Sequence, residues 1–324
     1  MLISAFDALL SDLDGVVYAG PDAIPGAPEA LGRLAGVGVE LAYITNNASR
    51  SPEVVARHIR QLGAPADAGN VFGSADAGAD LLAERIPARS KVLVVGSAYL
   101  RDCVVARGLT LAESAEEAPA AVIQGFDPDV NWRDLAEAAH AINGGATWVA
   151  TNTDMTIPRA RGIAPGNGSL VAAVATATGS RPIVAGKPEP LLFHVAAEQL
   201  EASRPLVVGD RLDTDILGGN RAGFATAVVF TGVDDATAVL GAPSDQRPRY
   251  ILGTLAELFG DYPVVRATGK QIVCGEARAG VEGNTITVTG SRADLDAWRA
   301  ACCAWWYAHP QESGSTTPEL NFSS

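Results

Sequence analysis

Lysine is scarce: Lys91, Lys187 and Lys270 are the whole complement of a 324-residue chain. Lysine and arginine together number 24 against 37 aspartates and glutamates, leaving a formal charge of -13 and a pI near 4.7. So acidic a chain is a poor general binder of nucleic acid or of an anionic membrane, and neither is expected as a partner. An anionic small molecule would need positive charge supplied locally, so each lysine is informative. Cysteine is sparse too. Cys103, Cys274, Cys302 and Cys303 form no Cys-x-x-Cys pair, which reads as reduced thiols and a cytoplasmic location. Asp7 and Asp12 interrupt the N-terminal apolar run, and no basic region precedes it, so no secretory leader is expected. The longest uncharged stretch, Gly162 to Ser180, contains Pro165, Gly166, Asn167 and Gly168. It reads as a loop feeding a helix, not a membrane span. No Gly-x-Gly-x-x-Gly follows the first apolar run, and the surroundings of Lys187 lack the glycines of a Walker A loop. A dinucleotide-dependent oxidoreductase and a P-loop nucleotidase are thereby disfavoured.

What the chain does have is alternation. Hydrophobic residues make up 48% of it, and they fall in short apolar runs separated by amphipathic stretches. Strands are predicted at 8–13, 39–44, 91–95, 121–124, 147–151, 206–209 and 226–230. Helices are predicted at 27–35, 52–62, 75–84, 99–107, 132–142, from Asn167 or Ser169 onward, and at 215–222. This pattern predicts an α/β fold, a doubly wound parallel sheet with helices on both faces. After Tyr262 the texture changes to β-like pieces at 264–267, 270–274 and 285–289, followed by one helix. Ser291 and Asp294 there have capping-box spacing. The tail from Gln311 is polar and is expected to be loose. No internal repeat is visible.

Four clusters could carry chemistry. Asp12-Leu13-Asp14-Gly15 closes the first strand, and residues two apart in extended chain point the same way. Two carboxylates about 4 to 5 Å apart repel by roughly 3 to 4 kcal/mol at an effective dielectric near 20, which a divalent cation would relieve. A simple turn also favours Asp and Gly. Thr45-Asn46-Asn47 follows the second strand and could hold phosphate oxygens or merely cap the next helix. Gly186-Lys187-Pro188 fixes a lysine in non-helical backbone, either to neutralise a phosphate or as a surface charge. Gly209-Asp210-Arg211-Leu212-Asp213-Thr214-Asp215 packs several carboxylates at a strand end, more than capping by Asp213 or Thr214 would need. Magnesium takes hard oxygen ligands and keeps several waters, so few direct carboxylates suffice.

In this order, Asp-x-Asp-Gly, Thr-Asn, Lys-Pro and Gly-Asp-x-x-x-x-Asp resemble the haloacid-dehalogenase-like phosphohydrolases over residues 5–260. Trp148 to Asp154 and Pro165 to Ser169 are similar to cap segments of the NagD and para-nitrophenylphosphatase-like branch. The resemblance implies a core formed by residues 1–78 and 182–262 and an inserted α/β cap of C2 type at 79–181. It implies Mg2+ as cofactor and a small phosphorylated metabolite as substrate. Asp12 would attack phosphorus, and Asp14 would protonate the leaving alkoxide and then activate water. Thr45 and the Asn46 backbone would hold phosphate oxygens, and Lys187 would neutralise charge. Asp12, the Asp14 backbone carbonyl and Asp210 would bind the metal, with Asp215 behind its waters. Asp14 argues for phosphatase over dehalogenase chemistry, because an alkoxide leaving group needs a proton and a halide does not. A phosphomutase would carry its cap before Thr45, where only a short stretch lies.

Residues 263–310 lie outside that resemblance and form a small α+β module; 311–324 is the tail. The module is similar to the C-terminal domain of some actinobacterial phosphatases, which implies glycerol 3-phosphate as substrate. The alternatives are 2-phosphoglycolate, sugar phosphates or nucleotides, or a non-catalytic regulatory protein on the same scaffold. Trp298 and Trp305 read as packed core. All motifs precede residue 264, so the module is expected to be separable from catalysis, with packing, regulation or formation of a homo-oligomer as its roles.

Overall fold

The structure, a computed structural model, describes residues 1–159, 161–311 and 318–323. The chain forms two compact units. The first comprises Met1–Leu41, Leu62–Pro65 and Gln199–Ser324, and the second Ala42–Gln61 and Ala66–Glu198.

In the first unit, strand Ala8–Ser11 pairs in parallel with Pro205–Gly209, Ala8 opposite Pro205. Pro205–Gly209 pairs in parallel with Ala225–Val229, and that strand with Tyr250–Leu252. Every residue of Ala8–Ser11 and Pro205–Gly209 is buried. Burial of both faces is why these strands read as continuous apolar runs instead of alternating ones. The helix predicted at 27–35 stops at Gly32 and is followed by a short 3-10 turn, Ala35–Val37. The helix predicted at 215–222 divides into a π-helical turn, Leu212–Ile216, and a helix, Leu217–Arg221.

The C-terminal part of this unit holds a five-stranded sheet. Val265–Thr268, Gln271–Cys274, Ala277–Glu282 and Thr285–Thr289 pair antiparallel in succession. Glu319–Ser323 adds in parallel to Thr285–Thr289. Two of these strands depart from the sequence reading. Ala277–Glu282 was not anticipated, and Glu319–Ser323 is ordered by a ladder where a loose tail was expected; residues 312–317 of that tail lie outside the described residues. Helix Leu295–Ala308 begins at Asp294, whose side chain accepts from the Asp296 N–H. Asp294 is therefore the N-cap itself, not the third residue of a box opened by Ser291.

The helix does not close a separate core. Trp298, Cys302 and Trp305 share one hydrophobic cluster with Leu212, Ile216, Val228, Val239 and Leu240. Arg299, 6% exposed, donates two hydrogen bonds to the Ile251 carbonyl at 2.7 and 2.9 Å and pairs with Glu257 at 2.7 Å. The module thus packs on the same elements that carry the aspartate cluster at 210–215.

The second unit holds a parallel sheet in the order Ile183–Val184, Thr147–Ala150, Ala121–Gln124, Lys91–Val95, Thr110–Ala112. Helices Trp132–Asn143 and Asn167–Thr178 cover one face, where Val95, Val122, Trp148, Val171 and Val174 form the core. The stretch from Gly162 is not a plain loop. Gly162–Pro165 pairs antiparallel with Thr156–Arg159 before the helix begins. Strand Glu40–Thr45 contributes Tyr43, Ile44 and Thr45 to this unit, paired in parallel with Val71–Gly73. Among the described residues, no helix is long and apolar enough to cross a membrane.

Candidate active site

In the first unit the ladder runs one residue beyond Ser11, since the Asp12 N–H donates to the Val208 carbonyl at 2.9 Å. Asp12 therefore sits at the carboxyl end of a central strand, where open α/β sheets bind ligands. The chain then turns sharply. Gly15 adopts φ +80°, its N–H donates to the Tyr18 carbonyl at 2.8 Å, and Asp14 beside it is exposed. Asp210 follows strand Pro205–Gly209 in the same way and is 2% exposed. Its carboxylate accepts from the Val233 N–H at 2.8 Å and its carbonyl from the Asp234 N–H at 3.1 Å. Asp215 lies on the π-helical turn, 1% exposed, and accepts from the Arg211 N–H at 3.1 Å.

Carboxylate oxygens of Asp12, Asp210 and Asp215 lie within 4.8 Å of one another. Glycines make this approach possible: a Cβ on Gly15 or Gly232 would overlap the Asp210 carboxylate, and one on Gly209 would overlap Asp215. At this spacing each ionised pair repels by about 3.5 kcal/mol at an effective dielectric near 20. The donors are all oxygens, with no thiolate or imidazole among them, which suits a hard cation such as magnesium or calcium. The residues present therefore fit the expected Mg2+, with Asp12, Asp210 and Asp215 as its carboxylate surroundings. Burial, partly offset by the hydrogen bond from the Leu212 N–H, pushes the neighbouring Asp234 carboxyl above its usual range.

In the second unit Thr45 ends its strand, 5% exposed, and its hydroxyl accepts from the Asn47 N–H at 3.1 Å. Lys187 is 4% exposed. Its ammonium donates to the Ile44 carbonyl at 3.2 Å, one residue before Thr45, so this unit brings Thr45, Asn46 and Lys187 together. The Asn46 side chain binds the Lys187 backbone at both ends: Oδ1 accepts from its N–H at 2.8 Å and Nδ2 donates to its carbonyl at 3.1 Å.

Some neighbours of the motifs were not identified from the sequence. Thr231, Gly232, Val233 and Asp234 form the loop that satisfies Asp210, and the Thr231 hydroxyl donates to the Gly15 carbonyl at 2.6 Å. Asn152 and Asp154 contact Asn46. For the loop at 231–234 the available signal was position after a strand alone, whereas Asn152 and Asp154 lie within the Trp148 to Asp154 segment that resembles a cap segment, a likeness that does not show their contact with Asn46. Neither Asp213 nor Thr214 caps the following helix. Asp213 pairs instead with Arg211 at 2.8 Å on the surface.

Residues 9–110 match the haloacid dehalogenase-like hydrolase family, and residues 184–258 match the HAD-hydrolase-like family. The chain is 46% identical over 255 residues to a D-glycerol 3-phosphate phosphatase of Mycobacterium tuberculosis, covering 79% of this chain and 71% of that protein. The chain belongs to the haloacid dehalogenase-like hydrolases. Another relative in the group, an acid sugar phosphatase of Staphylococcus saprophyticus, is 37% identical over 230 residues, covering 70% of this chain and 88% of its own. A crystal structure of a glycerol phosphate phosphatase from Mycobacterium tuberculosis in complex with magnesium superposes with a TM-score of 0.89 at 39% identity. That match covers 100% of this haloacid dehalogenase-like chain and 95% of the other, so the C-terminal module is included in it.

Proposed function

We propose that this phosphoric monoester hydrolase acts on a small phosphorylated metabolite, with glycerol 3-phosphate as the leading substrate, through an aspartyl-phosphate on Asp12. The observation that carries the reading is the cluster of Asp12, Asp210 and Asp215 oxygens within 4.8 Å at two parallel strand ends. The relatives, a D-glycerol 3-phosphate phosphatase and an acid sugar phosphatase, support the substrate class. The full-length match to a magnesium-bound phosphatase supports Mg2+.

On this reading an Asp12 oxygen attacks phosphorus while the ester P–O bond breaks, and Asp14 gives its proton to the departing alkoxide. Asp14 then takes a proton from water as the water oxygen attacks phosphorus, which releases inorganic phosphate and the Asp12 carboxylate. The exposure of Asp14 suits a group that must exchange protons with both alkoxide and water. Thr45 and the Asn46 backbone hold phosphate oxygens, and Lys187 offsets their charge. Bound magnesium supplies further positive charge against the phosphate oxygens. Splitting hydrolysis in two lets positioning and charge do most of the work, as phosphoryl transfer requires. We assign 79–181 as the cap and 1–78 with 182–262 as the core, acting in the cytoplasm without nucleic-acid or membrane partners.

The test is phosphate release from a panel holding glycerol 3-phosphate, 2-phosphoglycolate, sugar phosphates and nucleotides, with and without magnesium. Glycerol 3-phosphate is expected to give the highest kcat/KM. Release from no ester in the presence of magnesium would overturn the reading.

A further inference from the structure

We infer that the Asn46 side chain is a positioning group for Lys187, and that Asp154 sets its orientation. This rests on the phosphatase reading above, in which Lys187 neutralises the phosphate.

The orientation of the Asn46 amide is determined by its partners. The Lys187 N–H can only donate, so the atom 2.8 Å from it is Oδ1. The Asp154 carboxylate can only accept, so the atom 3.1 and 3.2 Å from its two oxygens is Nδ2. With that orientation Nδ2 also reaches the Lys187 carbonyl at 3.1 Å. One side chain therefore holds both backbone polar groups of Lys187, and a turned amide would face like against like at every contact.

The clamp is itself braced. The Asn46 carbonyl accepts from the Asn152 side chain and from the Ser74 hydroxyl, both at 2.8 Å. Asn167, 1% exposed, donates to the Asn152 carbonyl at 2.7 Å. Gly186 has no room for a Cβ, which would strike the Thr151 carbonyl and Asn46 Oδ1. Asn152, Asp154 and Asn167 all come from the stretch assigned as the cap, more than a hundred residues from Asn46. A lysine held at its backbone and through its ammonium to Ile44 loses its aim when any of these supports moves. Preorganised charge is what phosphoryl transfer rewards.

The test compares Asn46→Ala, Asn46→Asp, Asp154→Asn and the double variant Asn46→Asp/Asp154→Asn, reading kcat and KM for glycerol 3-phosphate and Tm. Asn46→Ala should lower kcat roughly a hundredfold, the scale of an ångström-sized misplacement, with KM little changed. Asn46→Asp should do the same, because the introduced carboxylate faces that of Asp154. The double variant places an amide donor opposite the introduced carboxylate and should recover about tenfold in kcat over Asn46→Asp alone, a non-additivity expected of contacting residues. A purely structural role would lower Tm without that exchange rescue. Asn46→Ala with kcat within threefold of wild type, or additive effects in the double variant, would overturn the proposal while leaving the phosphatase reading intact. A wild-type enzyme that releases no phosphate from any ester in the panel would overturn both.

Discussion

The carboxylate corner of the first unit and the lysine corner of the second handle buried charge by different means. Around Asp12, Asp210 and Asp215 the chain removes bulk: Gly15, Gly209 and Gly232 stand where any Cβ would overlap a carboxylate. Backbone N–H groups of Val233 and Arg211 then satisfy individual oxygens. Around Lys187, where Gly186 likewise leaves no room for a Cβ, the chain relies chiefly on side chains, with Asn46, Asn152 and Asp154 linked into one amide and carboxylate network. The difference follows from what each corner must do. Clustered like charges can be brought close only if nothing else occupies the space, and they need a cation to stay there. The Lys187 ammonium donates to the Ile44 carbonyl, and what it needs is aim more than room.

That contrast can be sharpened by substitution. The largest effect is expected at Asp12. Asp12→Asn keeps the shape but removes both the proposed nucleophile and one carboxylate oxygen of the cluster, and phosphate release should fall roughly a thousandfold or more. Circular dichroism should show an unchanged fold. Near-normal turnover would break the covalent assignment.

Gly232→Ala comes next. It adds one methyl group against the Asp210 carboxylate, so the loop must shift or the carboxylate must rotate away. The expected loss is roughly a hundredfold in kcat, with magnesium needed at higher concentration. A magnesium titration of activity reads both. An unchanged titration would show that the corner tolerates bulk and has no need of its glycines.

Trp305→Ala should act on stability and not on the chemistry. Trp305 is 1% exposed within the cluster that includes Leu212 and Ile216. Truncating a buried aromatic costs about 3 to 5 kcal/mol. Thermal unfolding should show a single transition at lower temperature, because the C-terminal helix and the catalytic sheet share that core. A separate early transition, with the remaining unfolding unmoved, would show that the helix and the sheet do not share a core.

Which parts were legible in the sequence follows from the range of the interactions. Asp12, Thr45 and Asp210 could be found because each directly follows a short apolar strand, a local signal. Lys187 stood out through scarcity and its Gly-Lys-Pro setting. The clamp on Lys187 could not be found this way. Asn152 and Asp154 contact a residue more than a hundred positions away, and polar residues after a strand look the same whether they brace a site or line a loop. The same reason hid the loop at 231–234, whose hydrogen bonds to Asp210 and Gly15 leave no local spacing. Strand Glu319–Ser323 has only five residues, with alternating exposure, and gains its order from the distant partner Thr285–Thr289. Packing was legible as a role of the module but its partners were not, because Leu212, Ile216 and Trp298 carry no mark of their common neighbourhood until the chain is folded.

We take three aspartate oxygens within 4.8 Å to form a magnesium site on which turnover depends. This dependence is tested most directly by stripping the enzyme with chelator, measuring magnesium binding by calorimetry, and following phosphate release from glycerol 3-phosphate as the metal is returned. The expected results are no turnover in metal-free buffer, recovery as magnesium binds, and loss of calorimetric binding in Asp210→Ala. Full turnover by the stripped enzyme, or undiminished magnesium binding by Asp210→Ala, would contradict the assignment of this site.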